Sequence, residues 1–233
     1  MQIKERPILY SAPMVNAILD DRKTQTRRVI KPSSKNADNF ELAFCHETGK
    51  FKGAYNTFND SRQDSQGNEH PLSCPYGQPG DRQWVRENTY ADHETSDCVT
   101  LAKYSDGQPV IHDYDPEQDP DGDYRNCIAH WWYSREVCPS IHMPRWASRI
   151  DTLIKDIRIE RLQDISEQDA LAEGLFKIPD IIDFSYTYDQ EDKCGWQTAR
   201  AAFKNLWDKI NAKTHPWQSN PWVWVIDFER IKP

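Results

Sequence analysis

No apolar run in this chain approaches the roughly 18 residues that a membrane-spanning helix needs. Nor does any stretch combine a basic start, an apolar segment and a small-residue cleavage site. The expectation is a soluble, cytoplasmic protein with no membrane partner. No internal repeat is evident, which argues against solenoids and arrays. No strong catalytic metal motif is present either, so any hydrolytic chemistry is expected from side chains, with no cofactor. The six cysteines fall irregularly at positions 45, 74, 98, 127, 138 and 194, a pattern that fits reduced thiols better than a disulfide framework. Cys127-x2-His130 and Cys138-x3-His142 supply four residues of the right type for zinc. The short second spacing and the seven residues between the pairs depart from a standard finger, so a metal is not favoured.

What the chain does contain is acid and aromatic surface. It has 233 residues, a formal charge of -8, nine tryptophans, ten tyrosines and fifteen prolines. That length can bury a core on its own, and one elaborated domain spanning 1–233 is the simplest organisation. Tryptophan and proline both limit conformational freedom, so long connections are expected to pack. The acidic balance argues against indiscriminate binding to duplex nucleic acid, but not against a local basic pocket for a phosphate, nucleotide or other small anion.

Such a pocket is signalled by Arg22-Lys23-Thr24-Gln25-Thr26-Arg27-Arg28, followed by Val29, Ile30, Lys31 and Pro32. Five cationic side chains and two hydroxyls occupy ten residues with no carboxylate among them. Burying all these charges would require many paired acceptors, so the stretch reads as the rim and floor of a polar cleft.

Along the chain, Ser11-Ala12-Pro13 predicts a helix start, and Met14, Ile18 and Leu19 form its apolar face as far as Asp20-Asp21. Phe40 to Phe44 alternates like a strand. The surrounding residues 33–79 read as a hairpin-and-loop insertion. Gly80-Asp81 marks a turn before a strand, Arg82 to Glu87, in which a charged residue accompanies an apolar one on each face. Residues 91–141 read as a second insertion, with an acidic section from Asp106 through Asp123. Asp119, Asp121, Gly122 and Asp123 faintly resemble a calcium loop, but Ile128 stands where the bidentate glutamate belongs. Ile154, Ile157 and Ile159 suggest a strand with imperfect spacing. Ser166 and Asp169 form an aspartate version of a capping box for a helix ending at Gly174. A stronger helix is predicted from Trp196 to Ile210, and the best strand candidate is Trp222 to Glu229.

The segment Ile18 to Arg28 resembles the opening signature of ASCH domains, relatives of the PUA fold. Gly80-Asp81 before a strand, Leu162-Gln163-Asp164-Ile165-Ser166 before a helix, and the terminal strand 222–229 follow in the same order. Cys74-Pro75-Tyr76-Gly77 and Met143-Pro144-Arg145-Trp146 resemble segments of a longer subgroup from bacteriophages and prophages. The resemblance implies a mixed α/β fold: a PUA-like curved β-barrel with flanking helices, carrying the two loop-rich insertions. Some short bacterial members are amidohydrolases of N4-acetylcytidine, and others are connected with RNA. In the amidohydrolase pattern the catalytic lysine corresponds to Lys23, the nucleophilic threonine to Thr26 and a supporting glutamate to Glu173. Asp21 departs from the pattern, since glycine often precedes the Arg-Lys-Thr motif. If that turn needs positive φ, aspartate adopts it at greater strain.

The chemistry asks a neutral Lys23 to take the Thr26 proton as the hydroxyl attacks an amide carbonyl. On a straight strand Lys23 and Thr26 face opposite ways, so the mechanism requires a turn at this site. Thr24 is an alternative nucleophile. Arg22 and Arg28 are candidates for binding substrate, and Arg28 for stabilising an oxyanion. Arg82, Trp84 and Arg86 form a second possible recognition surface, and Arg145, Trp146 and Arg149 a third. Each group has a structural alternative, in which a basic turn packs its stems, Glu173 forms a salt bridge and Trp84 fills the core. The expected function is hydrolysis of an amide on an acylated nucleobase, nucleoside or nucleotide. Its alternatives are a non-catalytic module for single-stranded RNA or modified nucleic acid, and a phage structural or interaction protein.

Overall fold

The computed structural model describes residues 3–34, 37–44, 51–112, 127–178, 186–188 and 195–232. The faint calcium-loop residues Asp119, Asp121, Gly122 and Asp123 lie outside these, as do Cys45 and Cys194. The chain enters on β1 (Glu5–Leu9), turns into α1 (Ala12–Leu19) and continues as β2 (Gln25–Val29). A hairpin of β3 (Asn39–Phe44) and β4 (Phe51–Thr57) precedes β5 (Arg82–Arg86). Short strands follow: β6 (Thr89–Asp92), β7 (Leu101–Tyr104), β8 (Ile111–His112), β9 (Cys127–Ile128) and β10 (Val137–Cys138). The long β11 (Asp151–Arg161) leads to α2 (Glu167–Ala172), then to β12 (Phe176–Lys177) and β13 (Tyr186–Thr187). The last elements are α3 (Ala199–Asn211) and β14 (Trp222–Ile231).

Five strands form the main sheet in the order β1-β5-β11-β14-β2. The β1–β5 pair is parallel and the others are antiparallel. The sequence expectation of a PUA-like curved β-barrel is corrected here: among the described residues no sheet is closed or strongly curled, and β1 and β2 are the two edges of an open sheet. Closure would need backbone bonds between those edges. Instead the Arg28 side chain from β2 donates through Nη2 to the Leu9 carbonyl at the end of β1, 2.6 Å away. A long side chain thus spans a gap that a strand pair would have removed.

β14 is covered on both faces, which is why it reads as a continuous apolar run. Val223 and Val225 pack with Phe203, Leu206 and Trp207 of α3, whereas Trp224 and Ile226 pack with Ile154, Ile30, Ala54 and Leu72. Each such side chain contributes about 1.5–3 kcal/mol by leaving water. Ala54 and Leu72 come from the 33–79 insertion, so its hairpin builds core against the sheet. A smaller cluster of Ala102, Tyr104, Val110, Ala129, Met143 and Ala147 lies under the second insertion, with Trp131, Trp132 and Trp146 packed on it.

Local signals account for the helices. Thr198 caps α3 by accepting from Ala201 N at 3.1 Å, and Ser166 caps α2 by accepting from Asp169 N at 3.0 Å. Ser11 occupies the cap position of α1, but its side chain makes no capping bond. Proline in the first turn sets the backbone there instead.

Among the described residues, no helix is long and apolar enough to cross a membrane.

Candidate functional site

The end of α1 turns sharply. Asp21 adopts φ 57, so the turn does take the positive value at which aspartate is strained more than glycine. The backbone N–H groups of Arg22 and Lys23 both donate to the Ala17 carbonyl, at 2.8 and 2.9 Å. That turn sets Lys23 into an antiparallel bridge with Glu173, the residue that ends α2. Gly174 follows at φ 101, and a Cβ on it would sit 2.9 Å from the Ala17 Cβ and 3.1 Å from the Lys23 Cβ. Only glycine combines that conformation with that approach. Two left-handed residues, one in each segment, therefore hold the amine and the carboxylate together.

Lys23 is 2% exposed and Glu173 is 4% exposed. The Lys23 ammonium donates to Glu173 Oε2 at 2.7 Å, to the Glu173 carbonyl at 2.9 Å and to the Gln25 carbonyl at 2.9 Å. These three acceptors match its three N–H bonds. Burial lowers the Lys23 pKa below its usual 10.5; the Glu173 charge opposes this, and the neighbouring Arg28 and Arg27 reinforce it. The net direction is toward the neutral amine.

Arg27 closes the other side of Glu173. Its Nη1 lies 3.5 Å from Glu173 Oε1, and its Nη2 is 3.2 Å from Glu160 and 3.4 Å from Asp169. Gln25 joins the same group, donating to Asp227 at 2.6 Å and to Asp169 at 3.1 Å, while Arg158 binds Glu160, Asp169 and Asp227. Arg27 was not among the residues expected at the site. The alternation of a strand could have assigned it a role, because residues 25 and 27 share a face while 26 and 28 share the other.

A cleft of about 520 Å³ opens beside this group. Its walls come from the end of β1 and the start of α1 (Tyr10, Ser11, Met14), from β2 (Thr26, Arg28), from Glu173, and from α3 (Phe203, Leu206, Ile210). Asn88, Tyr90, Ser105 and Ser140 reach it from the region of the second insertion. Thr26 and Glu173 thus share one cavity, while Lys23 lies beneath it and does not line it. Arg28 sits 5.3 Å from the Tyr10 ring centroid and 5.8 Å from that of Tyr76. The Tyr10 hydroxyl is near Thr26 and Arg28, yet no hydrogen bond of normal geometry satisfies it, and burial raises its pKa. Nothing in the sequence tied Tyr10, Ser11 or the face of α3 to this site, since they meet the motif only through tertiary packing.

Thr24, the alternative nucleophile, is exposed and outside the cleft. Its N–H donates to Ala172 and its carbonyl accepts from Phe228. Arg22 is used as a clamp: Nη1 donates to the Gly174 carbonyl at 2.7 Å, Asp20 holds its other nitrogens, and the guanidinium lies 4.8 Å over Phe176.

The second and third predicted recognition groups do not line the cleft. Arg82 is exposed. Trp84 is buried, with Arg86 4.5 Å and Arg145 5.7 Å from its ring centroid, so guanidiniums of the protein already occupy the aromatic surface. Arg145 pairs with Glu5 and Asp151. Arg149 grips both oxygens of buried Glu87, at 2.8 and 2.9 Å, and also pairs with Asp106. Trp146 packs edge-on against Trp132. These groups lock the insertion to the sheet. The zinc candidates are likewise dispersed: Cys138 is buried, His142 is exposed and stacks on Tyr133, and Cys127 and His130 form no metal-ligating cluster with them among the described residues.

A second cavity of about 180 Å³ adjoins the first. Ser11, Met14, Glu173, Leu206 and Ile210 line both, so Glu173 stands where the two meet. The remaining walls of the smaller one include Pro13, Ala17 and Tyr188, with Lys209 also on its lining.

No protein-family model, curated protein or solved structure matches the chain.

Proposed function

We propose that the cleft binds an acylated nucleobase, carried on a nucleoside or nucleotide, and hydrolyses its amide. The observation that carries the reading is the meeting of three segments at one cavity: Thr26 and Glu173 line it, and Lys23 Nζ lies 2.7 Å behind Glu173 Oε2. Its volume of about 520 Å³ suits a nucleoside-sized ligand. Among the lining residues, Arg27 and Glu173 are paired with each other, which leaves Arg28 and Lys31 as the cations facing the cleft. In a chain of charge -8 this local excess favours a ligand bearing a phosphate.

In the proposed reaction Lys23 works as the neutral amine, which burial favours. Its lone pair takes the Thr26 hydroxyl proton as Oγ1 attacks the amide carbon. The carbonyl oxygen becomes an oxyanion facing Arg28, and Lys23 then passes the proton to the departing exocyclic nitrogen of the base, leaving an acyl ester on Thr26. Water cleaves the ester by the same relay, releasing the acid and restoring the threonine. Glu173 orients Lys23 and accepts a hydrogen bond from the base edge. For this, Lys23 must exchange one of its three present hydrogen bonds for one to Thr26.

The test is incubation with N4-acetylcytidine and its 5′-phosphate. Turnover lost in both Lys23→Ala and Thr26→Ala is the expected result; unchanged turnover in those variants defeats the reading. A second reading rests on the saturation of the Lys23 donors. A lysine so fully engaged is a structural tie, and the cleft then only binds a modified nucleotide or single-stranded RNA. Salt-sensitive binding without chemical change distinguishes this outcome.

A further inference from the structure

The cavity adjoining the main cleft is unlike it in character. Its walls are Pro13, Met14 and Ala17 from α1, facing Leu206 and Ile210 of α3, with Glu173 at the junction. We propose that this side cavity receives the acyl chain of the substrate, so that the protein prefers acyl groups longer than acetyl. The inference takes its chemistry from the hydrolase reading, but its binding arm stands apart from that reading.

The argument is one of position and size. A planar base held by Glu173 in the larger cleft carries its exocyclic nitrogen toward that carboxylate. The acyl group is attached to this nitrogen. Its carbonyl must face Thr26 for attack, and its alkyl end then needs room beyond Glu173, where the side cavity begins. That cavity measures about 180 Å³. A roughly 150 Å³ apolar cavity suffices to hold benzene, so a chain of about six carbons fits. The space is available because Ala17 of helix α1 presents only a methyl group and Gly174, also on the lining, has no side chain. The same walls offer an acetyl group little to touch.

The test uses two series on the intact protein. N4-acetyl-, N4-butyryl- and N4-hexanoylcytidine report kcat/KM, and the corresponding N4-alkylcytidines, which cannot be hydrolysed, report Kd by calorimetry. Both should improve by about fourfold per added methylene up to six carbons. Lys209→Trp, at an exposed position on the wall of the side cavity, should flatten both dependences. Turnover of the acetyl compound with no gain from longer chains in either series overturns the acyl cavity while leaving the hydrolase reading intact. Chain-dependent Kd without turnover of any acyl compound leaves the cavity supported and removes the chemistry. Absence of both turnover and binding overturns the two together.

Discussion

Lys23 and Glu173 are joined through both backbone and side chain: their backbones form a bridge, and the Lys23 amine binds the carbonyl and the carboxylate of the same glutamate. One residue follows the first helix and the other ends the second, 150 positions later. The pair therefore fixes the relative placement of α1 and α2 as well as the floor of the cleft.

Removing the Glu173 charge leaves the buried Lys23 amine with carbonyl acceptors alone, and removing Lys23 leaves Glu173 with only the longer Arg27 contact at 3.5 Å. Glu173→Gln and Lys23→Met are each expected to cost about 3–5 kcal/mol in urea unfolding. The double variant should cost clearly less than the sum, because neither charge is then left alone. Strict additivity would show that the two ions do not interact energetically.

The threonines separate cleanly by location. Thr26→Ala should lower kcat at least about a thousandfold if its oxygen is the nucleophile, with Thr26→Ser retaining part of the activity. Thr24→Ala, at an exposed residue outside the cleft, should change kcat by less than about twofold. The reverse ranking, measured on the same acyl nucleoside, would assign the nucleophile to Thr24.

The pH profile follows from the direction of the Lys23 shift. Its folded pKa lies below 10.5, so the neutral base appears, and kcat rises, at lower pH than for an ordinary lysine. Arg28 helps to depress this pKa. Arg28→Gln should therefore move the midpoint of the kcat profile upward, whatever it does to KM. A downward or absent shift would remove Lys23 as the titrating base. Stability carries the same sign: between the folded pKa and 10.5 the unfolded chain holds the extra proton, so this group's contribution grows as pH rises through that window.

Backbone conformation supplies a further test. Gly174→Ala forces a Cβ into positive φ and toward Ala17 and Lys23, and should cost at least about 2 kcal/mol with loss of activity. At Asp21 the ordering of melting temperatures is the measurement: glycine relieves strain but loses the pairing with Arg230 and Lys232, while alanine keeps the strain and loses the same pairs. Asp21→Gly should melt close to or above the parent, and Asp21→Ala below it.

How much of this was legible depended on whether the signal was local. The cap at Ser166, the glycine stop at 174 and the apolar terminal strand all express nearby backbone needs, and each appears in the fold. The awkward spacing of Ile154, Ile157 and Ile159 also has a local cause: the register shifts between Ile154 and Asp156, so Lys155 is an extra residue and the three isoleucines return to one side of β11. That the sheet stays open, where a barrel was expected, was not legible. Whether β1 and β2 close against each other depends on what the intervening helix and Arg28 do in space, and neither leaves a periodic trace. The partners of the arginine-tryptophan clusters were hidden for a related reason: composition reports which groups are present, whereas Glu87 and Glu5, which engage Arg149 and Arg145, lie far from them in the chain.

The reach of Arg28 to the Leu9 carbonyl has one more consequence. Both strands that flank that contact contribute walls to the cleft. Zipping them together would add a row of backbone hydrogen bonds while closing off the cleft that Thr26 lines. The unpaired margins of the sheet thus leave the cleft its room, and a single guanidinium reaches across between them.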